Sequence, residues 1–369
     1  MKARNMNRQT HANRRDFLKG LGACAATGAL ATPGGAFASA RPSELRAILL
    51  HLGRNMWCDW AADGEPSGLK GKRVAQTRLL CRTDFWRAAT DHAAARGLNC
   101  VVVDLGEGVV FPSHPELAVA GSWTADEMRA EVRRLRALGL EAIPKLNFST
   151  THNGWLKGYR RRISTPEYYA LCRDLVRDAA EIFERPRLFH IGYDEESAEL
   201  QKACTFEFRV ARAGELWWND FLRLVRDVED AGMRAWMWSD FGWNHREFVT
   251  RCPKSVLQSN WYYDENLKGF DLDLSAADGD GRRLGLFVEL DRAGFEQVPC
   301  GSNWMSRPRV AKKASADPVM GELVRFCRAR LSAERLKGFL MAPWEHLDSP
   351  AGRDVNLRGI DLLADALQS

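Results

Sequence analysis

The sequence predicts a single (β/α)8 barrel, and two observations support this prediction. From residue 41 onward, short apolar runs alternate with amphipathic segments, which is the order of strands and helices in a parallel α/β fold. Eight such runs lie within the 329 residues that follow the first 40, and this length suits one large barrel. A doubly wound open sheet is the alternative. No G-x-G-x-x-G motif follows the first run, so a dinucleotide cofactor is disfavoured.

Each predicted strand is a run of six to eight mostly apolar residues. The strands are predicted at 47–53, 100–105, 141–148, 188–193, 235–240, 256–261, 297–303 and 338–343. Helices with a 3.6-residue apolar period are predicted at 84–97, 125–138, 167–184, 214–232, 319–332 and 354–367. Gly97, Gly139 and Gly232 stand where helices would end, and Thr165 where one would be capped. Residues 264–296 show no clear helical pattern.

The composition is that of a folded protein, with 45% apolar and 27% charged residues, so general disorder is excluded. The net charge of +5 comes from the first 40 residues, which hold six of the 53 basic and one of the 48 acidic residues. The remaining chain carries 47 residues of each sign, so we expect neither a nucleic-acid partner nor binding to an anionic membrane. No stretch approaches the roughly 18 consecutive apolar residues of a membrane span.

The first 40 residues have the three parts of an export signal, in order. The run N-R-R-D-F-L-K at 13–19 resembles the bacterial twin-arginine signal, and a weakly apolar run follows at 21–38. The sequence A-S-A at 38–40 has the small-x-small pattern that signal peptidase cleaves. We therefore predict that residues 1–40 are removed and that residues 41–369 form one domain in the periplasm or outside the cell. Residues 21–24 also resemble a lipobox, which would make Cys24 a lipid anchor instead.

The eight cysteines beyond the signal are scattered, with no C-x-x-C pair. Iron–sulfur and zinc-ribbon sites take their ligands from such pairs, so neither is expected. No His, Asp and Glu triple has the spacing of metal ligands. We expect no metal and no other cofactor.

Polar and aromatic side chains collect where the predicted strands end. In a barrel these ends lie at one rim, where binding and catalysis take place. The residues at or just after these ends are Arg54, Asp104, Glu107, Asn147, His152, Asp194, Glu195, Glu196, Trp238, Asp240, Trp261, Tyr262, Tyr263, Asn303, Trp304, Trp344, Glu345 and His346. Aromatic rings stack on the C–H faces of sugars, while carboxylates and amides bind their hydroxyls. This mixture indicates a glycan ligand.

The most informative motif is H-I-G-Y-D-E at residues 190–195. Breaking a glycosidic bond needs an acid that protonates the departing oxygen and a second group that supports an oxocarbenium-like centre. Adjacent carboxylates at a strand end suit this task, because one can enter the cleft while the other raises its pKa. From spacing alone, Asp194 is equally well a helix cap, with Glu195 and Glu196 in a solvated first turn.

The motif resembles the H-x-G-G-D-E signature of glycoside hydrolase family 20, the β-N-acetylhexosaminidases. This resemblance implies that Glu195 is the general acid/base. It also implies that Asp194 orients the 2-acetamido group of the substrate, whose carbonyl oxygen is the nucleophile. Tyr193 replaces a glycine of the signature.

The resemblance implies several sugar-binding residues as well. Arg54 matches an arginine after the first strand that binds sugar hydroxyls, and His152 resembles the histidine of the third-strand loop. Trp238 and Trp261 stand where the family places aromatic walls. The pair Trp344-Glu345 resembles the W-x-E of the eighth strand, without its spacer.

One element of the family pattern is missing near the seventh strand. The helper tyrosine is expected there, but Ser302-Asn303-Trp304 stands in its place. Tyr262 or Tyr263 could substitute for it. His190 is expected to brace the site by hydrogen bonding.

The sequence therefore predicts an exported glycoside hydrolase acting on a β-linked, N-acetylated glycan with substrate assistance. A glycosidase of other specificity would need a protein carboxylate as nucleophile or base, and Glu345 and Asp240 are the candidates. Asp240 is equally well a helix cap. If the protein is not an enzyme, the alternative is a barrel that binds carbohydrate without cleaving it. A third interpretation, a cofactor-bearing oxidoreductase, is suggested by the export route alone. The sequence predicts no oligomeric state.

Overall fold

The computed structural model describes residues 44–60, 74–196, 210–263, 279–304 and 319–368. Each of the eight predicted runs overlaps one strand. The strands are β1 (Leu45–His51), β2 (Cys100–Asp104), β3 (Glu141–Lys145), β4 (Leu188–His190), β5 (Arg234–Trp238), β6 (Leu257–Ser259), β7 (Cys300–Gly301) and β8 (Gly338–Met341). All pairings between them are parallel.

The strands close into a barrel. Neighbouring strands follow the order β6-β5-β4-β3-β2-β1-β8-β7. Parallel bridges between Gln258 and Gln297 and between Trp261 and Cys300 then join the two ends of this order. The N–H of Val298 donates to the carbonyl of Gln258 at 2.8 Å across the same seam. The predicted (β/α)8 class is confirmed, and the open-sheet alternative is wrong.

Helices surround the strands. They are α1 (Thr83–Ala95), α2 (Ala125–Ala137), α3 (Pro166–Ile182), α4 (Glu215–Asp230), α5 (Phe248–Arg251), α6 (Gly279–Arg292), α7 (Val319–Arg330) and α8 (Pro350–Gln368). The six predicted helices are all present. Thr165 caps α3 by accepting the N–H of Tyr168, and Gly97, Gly139 and Gly232 adopt φ near +80° just beyond helix ends.

Helix α6 lies in the segment for which the sequence predicts no clear helix. Its first three residues are Gly-Asp-Gly, which have low helix propensity and hide the pattern. Beyond them Leu284, Leu286, Phe287 and Leu290 are buried, so packing onto the barrel holds the helix.

Two apolar layers hold the barrel together. Successive strand residues point to opposite faces, so Leu49 and Val102 join a cluster inside the barrel while Ile48 joins the layer beneath the helices. The seven described cysteines are free thiols, and six of them are buried. Within the described ranges, no helix is long and apolar enough to cross a membrane.

Candidate active site

The inward-facing positions turn polar where the strands end. Every second residue of a strand points into the barrel, and the last inward-facing residue of each of the first four strands is polar. These residues are His51, Asp104, Lys145 and His190, and all four are buried. Lys145 Nζ lies 2.7 Å and His51 Nδ1 3.1 Å from Asp104 Oδ2. Burial opposes ionisation of Asp104, but the two basic neighbours outweigh it and hold its pKa well below the usual range. A charged pair therefore forms the floor of the mouth.

His190 forms a hydrogen bond with the turn above this floor. Its Nδ1 accepts the N–H of Gly192 at 3.0 Å, and its ring centroid lies 4.5 Å from that of Trp238. Burial, followed by the nearby Lys145 ammonium, holds the pKa of His190 well below its ordinary value. His190 is thus a neutral, fully buried ring.

The turn after β4 has an unusual backbone. Tyr193 and Glu195 adopt φ of +73° and +58°, a left-handed conformation that is strained for residues with side chains. Gly192 has φ of +69°, and a side chain there would collide with Asn147. This backbone leaves the Glu195 side chain 38% exposed at the mouth, whereas Asp194 and Glu196 are buried.

Glu195 lies among groups that shift the pKa of its carboxyl. Its Oε2 is 3.5 Å from His152 Nε2, and its N–H donates to Asp240 Oδ2 at 2.8 Å. Burial raises the pKa of the Glu195 carboxyl; His152 opposes the rise and Asp194 adds to it. A carboxyl that keeps its proton above its ordinary range and still reaches solvent suits a general acid.

Asp194 is held beside Glu195 by the loop after β3. Asn147 Nδ2 donates to Asp194 Oδ1 at 2.8 Å, and Thr151 Oγ1 donates to the Asp194 carbonyl at 3.2 Å. His152 Nδ1 lies 3.7 Å from the same carboxylate oxygen. The alternative interpretation, in which Asp194 caps the next helix and Glu195 and Glu196 lie in its first turn, extends into residues 197–209, which lie outside the described residues.

Asp240 is the third carboxyl of this cluster. It begins a short 3-10 turn (Asp240–Trp243), but its side chain accepts from Glu195 rather than capping that turn. Its Oδ1 is buried and has no hydrogen-bond partner among the described residues. Burial and then the neighbouring Asp194 raise the pKa of Asp240 well above its ordinary value. Asp240 therefore keeps its proton to a higher pH than an ordinary aspartate does.

The raised pKa of the Asp240 carboxyl predicts how the stability of the fold depends on pH. Because its pKa in the fold exceeds the ordinary 3.8, its contribution is full at low pH and is lost as the pH rises through the folded pKa. From about pH 4 upward, the wild type should lose up to about 1.4 kcal/mol of unfolding free energy per pH unit relative to Asp240→Asn. Urea unfolding between pH 4 and 8 measures this. The exposed Asp365→Asn is the control, and parallel pH curves for wild type and Asp240→Asn would contradict the assignment.

Aromatic rings line the mouth next to these carboxyls. Trp261 stacks on Tyr263 with centroids 4.8 Å apart, and Trp344 Nε1 donates to the Tyr263 hydroxyl at 3.0 Å. Trp238 lies beneath them, fully buried, with its ring 5.6 Å from Trp344. Trp304 is 36% exposed after β7.

Tyr262 lies away from the mouth, contrary to expectation. Its side chain is fully buried in the apolar layer beneath the helices, because alternation along the chain turns it outward from the barrel. Its neighbour Tyr263 packs against the inner cluster instead, near Asp194. Of the two tyrosines considered for the missing helper, Tyr263 is the one that lies on the inner side of the barrel.

The opposite side of the mouth is formed by β1 and β8. Arg54 forms an ion pair with Asp348, a residue that sequence reasoning missed. The N–H of Arg54 donates to Glu107 at 2.6 Å. Glu345 is half-buried, and its carboxylate accepts the N–H of His346 at 3.3 Å. Asp348 follows β8 by seven residues, so only the folded chain shows it beside Arg54.

Arg283 on α6 is a second residue that the sequence did not indicate. Its guanidinium lies 4.7 Å from the ring centroid of Trp243 and 5.6 Å from that of Trp261. It is close enough to Glu195 to lower that carboxyl's pKa, against the larger effect of burial. Within the described ranges, no group of three His, Cys, Asp or Glu side chains is arranged to hold a metal.

One family model matches the chain, over residues 11–31: the TAT (twin-arginine translocation) pathway signal sequence. This confirms the predicted export signal. The protein is exported across the membrane, to the periplasm or beyond. None of the curated proteins compared matches the sequence.

Solved structures with the same fold include several hexosaminidases. The β-N-acetylhexosaminidase from Bacteroides fragilis superposes with a TM-score of 0.56 at 12% identity, over 86% of this chain and 65% of that one. The N-acetyl-β-hexosaminidase from Streptomyces plicatus superposes with a TM-score of 0.56 at 15% identity, over 88% of this chain and 64% of that one. The GH20 exo-β-N-acetylglucosaminidase from Vibrio harveyi, crystallised as an inactive mutant, superposes with a TM-score of 0.55 at 12% identity, over 89% of this chain and 57% of that one. At such identities the likeness establishes the fold, and the chain spans 57–65% of the length of these three proteins.

Proposed function

We propose that the protein is an exported glycoside hydrolase that cleaves the β-linkage of an N-acetylhexosaminide by substrate-assisted acid/base catalysis. The observation that carries this proposal is the position of Glu195. Its side chain is partly exposed at the barrel mouth, its carboxyl lies 3.5 Å from His152, and partial burial raises its pKa. The shared fold with hexosaminidases and the motif at residues 190–195 support the same function.

In the proposed reaction, the Glu195 carboxyl donates its proton to the departing glycosidic oxygen. The carbonyl oxygen of the 2-acetamido group attacks the anomeric carbon, and the Asp194 carboxylate accepts a hydrogen bond from the acetamido N–H. In this proposal the Tyr263 hydroxyl donates a hydrogen bond to the acetamido oxygen. Glu195, now ionised, then takes a proton from the water that opens the oxazolinium ring, which restores the acid.

The remaining mouth residues would hold the sugar. Trp261 and Trp344 offer ring faces and edges to its C–H surfaces. The Arg54–Asp348 pair supplies a donor and an acceptor for its hydroxyls at the opposite side. His152, 3.5 Å from the Glu195 carboxyl, would assist its proton exchange.

A mechanism with a protein nucleophile is less well supported. Asp240 accepts the N–H of Glu195, but burial and the neighbouring Asp194 raise its pKa, which disfavours the ionised form that a nucleophile needs. Its bond to the Glu195 N–H supports a positioning role instead.

Paired substrates test the proposed function. We expect hydrolysis of 4-nitrophenyl N-acetyl-β-glucosaminide and little hydrolysis of 4-nitrophenyl β-glucoside, which lacks the acetamido group. N-acetylglucosamine-thiazoline, which mimics the oxazoline intermediate, should inhibit competitively. Equal turnover of both substrates would overturn substrate assistance. Thiazoline binding without turnover of a panel of N-acetylhexosaminides would identify a silent binding barrel.

The boundary of the exported domain is a separate prediction. We propose cleavage after Ala40, since the small-x-small pattern ends there and the compact unit begins at Glu44. Mass spectrometry of the exported protein should give a chain that starts at Arg41. Replacing Arg14 and Arg15 by lysine should retain the protein in the cytoplasm. An acylated N-terminus at Cys24 would establish the lipoprotein alternative.

A further inference from the structure

Glu196 and Arg212 form a buried ion pair directly behind the turn that carries Glu195. Arg212 donates through Nε to Glu196 Oε2 at 3.0 Å and through Nη2 to Glu196 Oε1, so the pair is bidentate. The two side chains are at most 1% exposed. A bidentate guanidinium–carboxylate pair fixes direction as well as distance, and it therefore restrains the backbone beside Glu195.

The same pair binds the loop that follows β3. Glu196 Oε1 accepts the N–H of Thr150 at 2.7 Å, and Arg212 Nη2 donates to the carbonyl of Phe148 at 2.8 Å. This loop carries His152, which faces the proposed acid. The ion pair thus joins the two loops whose side chains meet at the mouth.

Arg212 is itself held from two further sides. Its guanidinium lies 4.4 Å from the ring centroid of Tyr193, and its Nη1 donates to Asp220 Oδ2 at 3.3 Å. Asp220 accepts from the hydroxyls of Tyr169 and Ser164 at 2.6 Å each. Through Asp220 and Tyr169 the pair is anchored to helices α4 and α3.

The backbone at the acid needs such an anchor. The left-handed φ of Glu195 persists only where the surroundings hold it. This conformation sends the Glu195 side chain toward the mouth and the Glu196 side chain into the protein. Three consecutive acidic residues therefore occupy three different environments.

We propose that Arg212 and Glu196 are positioning residues: their ion pair holds the strained turn so that the Glu195 carboxyl stays against His152. This inference rests on the role proposed above for Glu195. Because neither side chain of the pair is exposed to the mouth, sugar binding is expected to be unaffected by their replacement.

Glu196→Gln tests the inference, because it keeps the size of the side chain and removes its charge. For an alkyl N-acetyl-β-glucosaminide, whose leaving group needs the acid, kcat should fall about 10- to 100-fold. KM should change less than about twofold, and the loss should be much smaller for the 4-nitrophenyl substrate. The matched control is Glu131→Gln on α2. Glu131 is also buried and paired with an arginine, Arg134, but it packs between helices α2 and α1, where it accepts the N–H of the Trp86 ring. This control should lower Tm and keep the wild-type kcat.

A second readout does not depend on turnover. Carboxyl-carbon NMR titration should show the pKa of Glu195 falling toward its ordinary value of 4.5 in Glu196→Gln, as the carboxyl moves into solvent. A folded variant with wild-type kcat and an unchanged Glu195 titration would overturn the positioning role. If the wild type hydrolyses no N-acetylhexosaminide, the proposed function fails while the titration still decides the inference. If Glu196→Gln does not fold, the same two measurements are made on Arg212→Lys. This variant keeps the positive charge but cannot form the bidentate pair with Glu196.

Discussion

Glu195→Gln is expected to lower kcat/KM for a glycan with a poor leaving group by about 10²- to 10⁴-fold, because the departing oxygen then receives no proton. This corresponds to a barrier higher by about 3–5 kcal/mol. For 4-nitrophenyl glycosides the loss in the first step should be smaller, since that leaving group departs without full protonation. Steady-state kinetics on both substrate types measures the difference.

The pH–rate profile gives a second measure of the same residue. An acid must carry its proton, so kcat/KM of the wild type should fall as the pH rises through the Glu195 pKa. Since burial raises that pKa, the fall should lie above the ordinary 4.5. In Glu195→Gln this limb should be absent. Glu181→Gln, an exposed change on α3, should leave the profile unaltered. Full activity of Glu195→Gln on a natural glycan would remove Glu195 from the mechanism.

Asp104→Asn is expected to destabilise the fold by about 3–5 kcal/mol, because it leaves the ammonium of Lys145 buried without its charged partner. Lys145 is 0% exposed, so water cannot replace the lost carboxylate. The pKa of Asp104 is depressed in the fold, so its contribution is present above the ordinary 3.8 and is lost as the pH falls through the folded pKa. The difference between wild type and variant should therefore shrink in strong acid.

The double variant Asp104→Asn/Lys145→Met provides the control. Removing both charges takes away the unpaired cation, so most of the lost stability should return. Urea unfolding at pH 7 and pH 3 compares the three proteins. Equal stability of the single and double variants would show that the buried ammonium is not the cause of the loss.

The strands were predictable because a strand buried on both faces reads as an apolar run, and β2 is V-V-V between a cysteine and an aspartate. The C-terminal barrel rim follows from topology alone, so Asp194, Glu195 and Arg54 could be grouped before the fold was known. The choice between Tyr262 and Tyr263 depends on which residues of β6 face inward, and that register is known only from the folded chain.

Contacts between distant parts of the chain were not predictable. Asp348 reaches Arg54 across 294 positions, and Arg212 reaches Glu196 across the segment 197–209. Arg283 lies on a helix whose Gly-Asp-Gly start hides its pattern. Glu196 looked like a solvated helix-start acid, because a sequence shows charge but not the burial that pairing permits.

The free thiols of the barrel bear on how the protein reaches its compartment. Twin-arginine export carries chains that have already folded, so this interior forms in a reducing cytosol, where disulfides do not persist. Burial raises the pKa of Cys100 and Cys327, which keeps both as thiols rather than the reactive thiolates. Six of the seven described thiols are buried, so the fold itself shields them from the oxidising surroundings that the protein reaches after export.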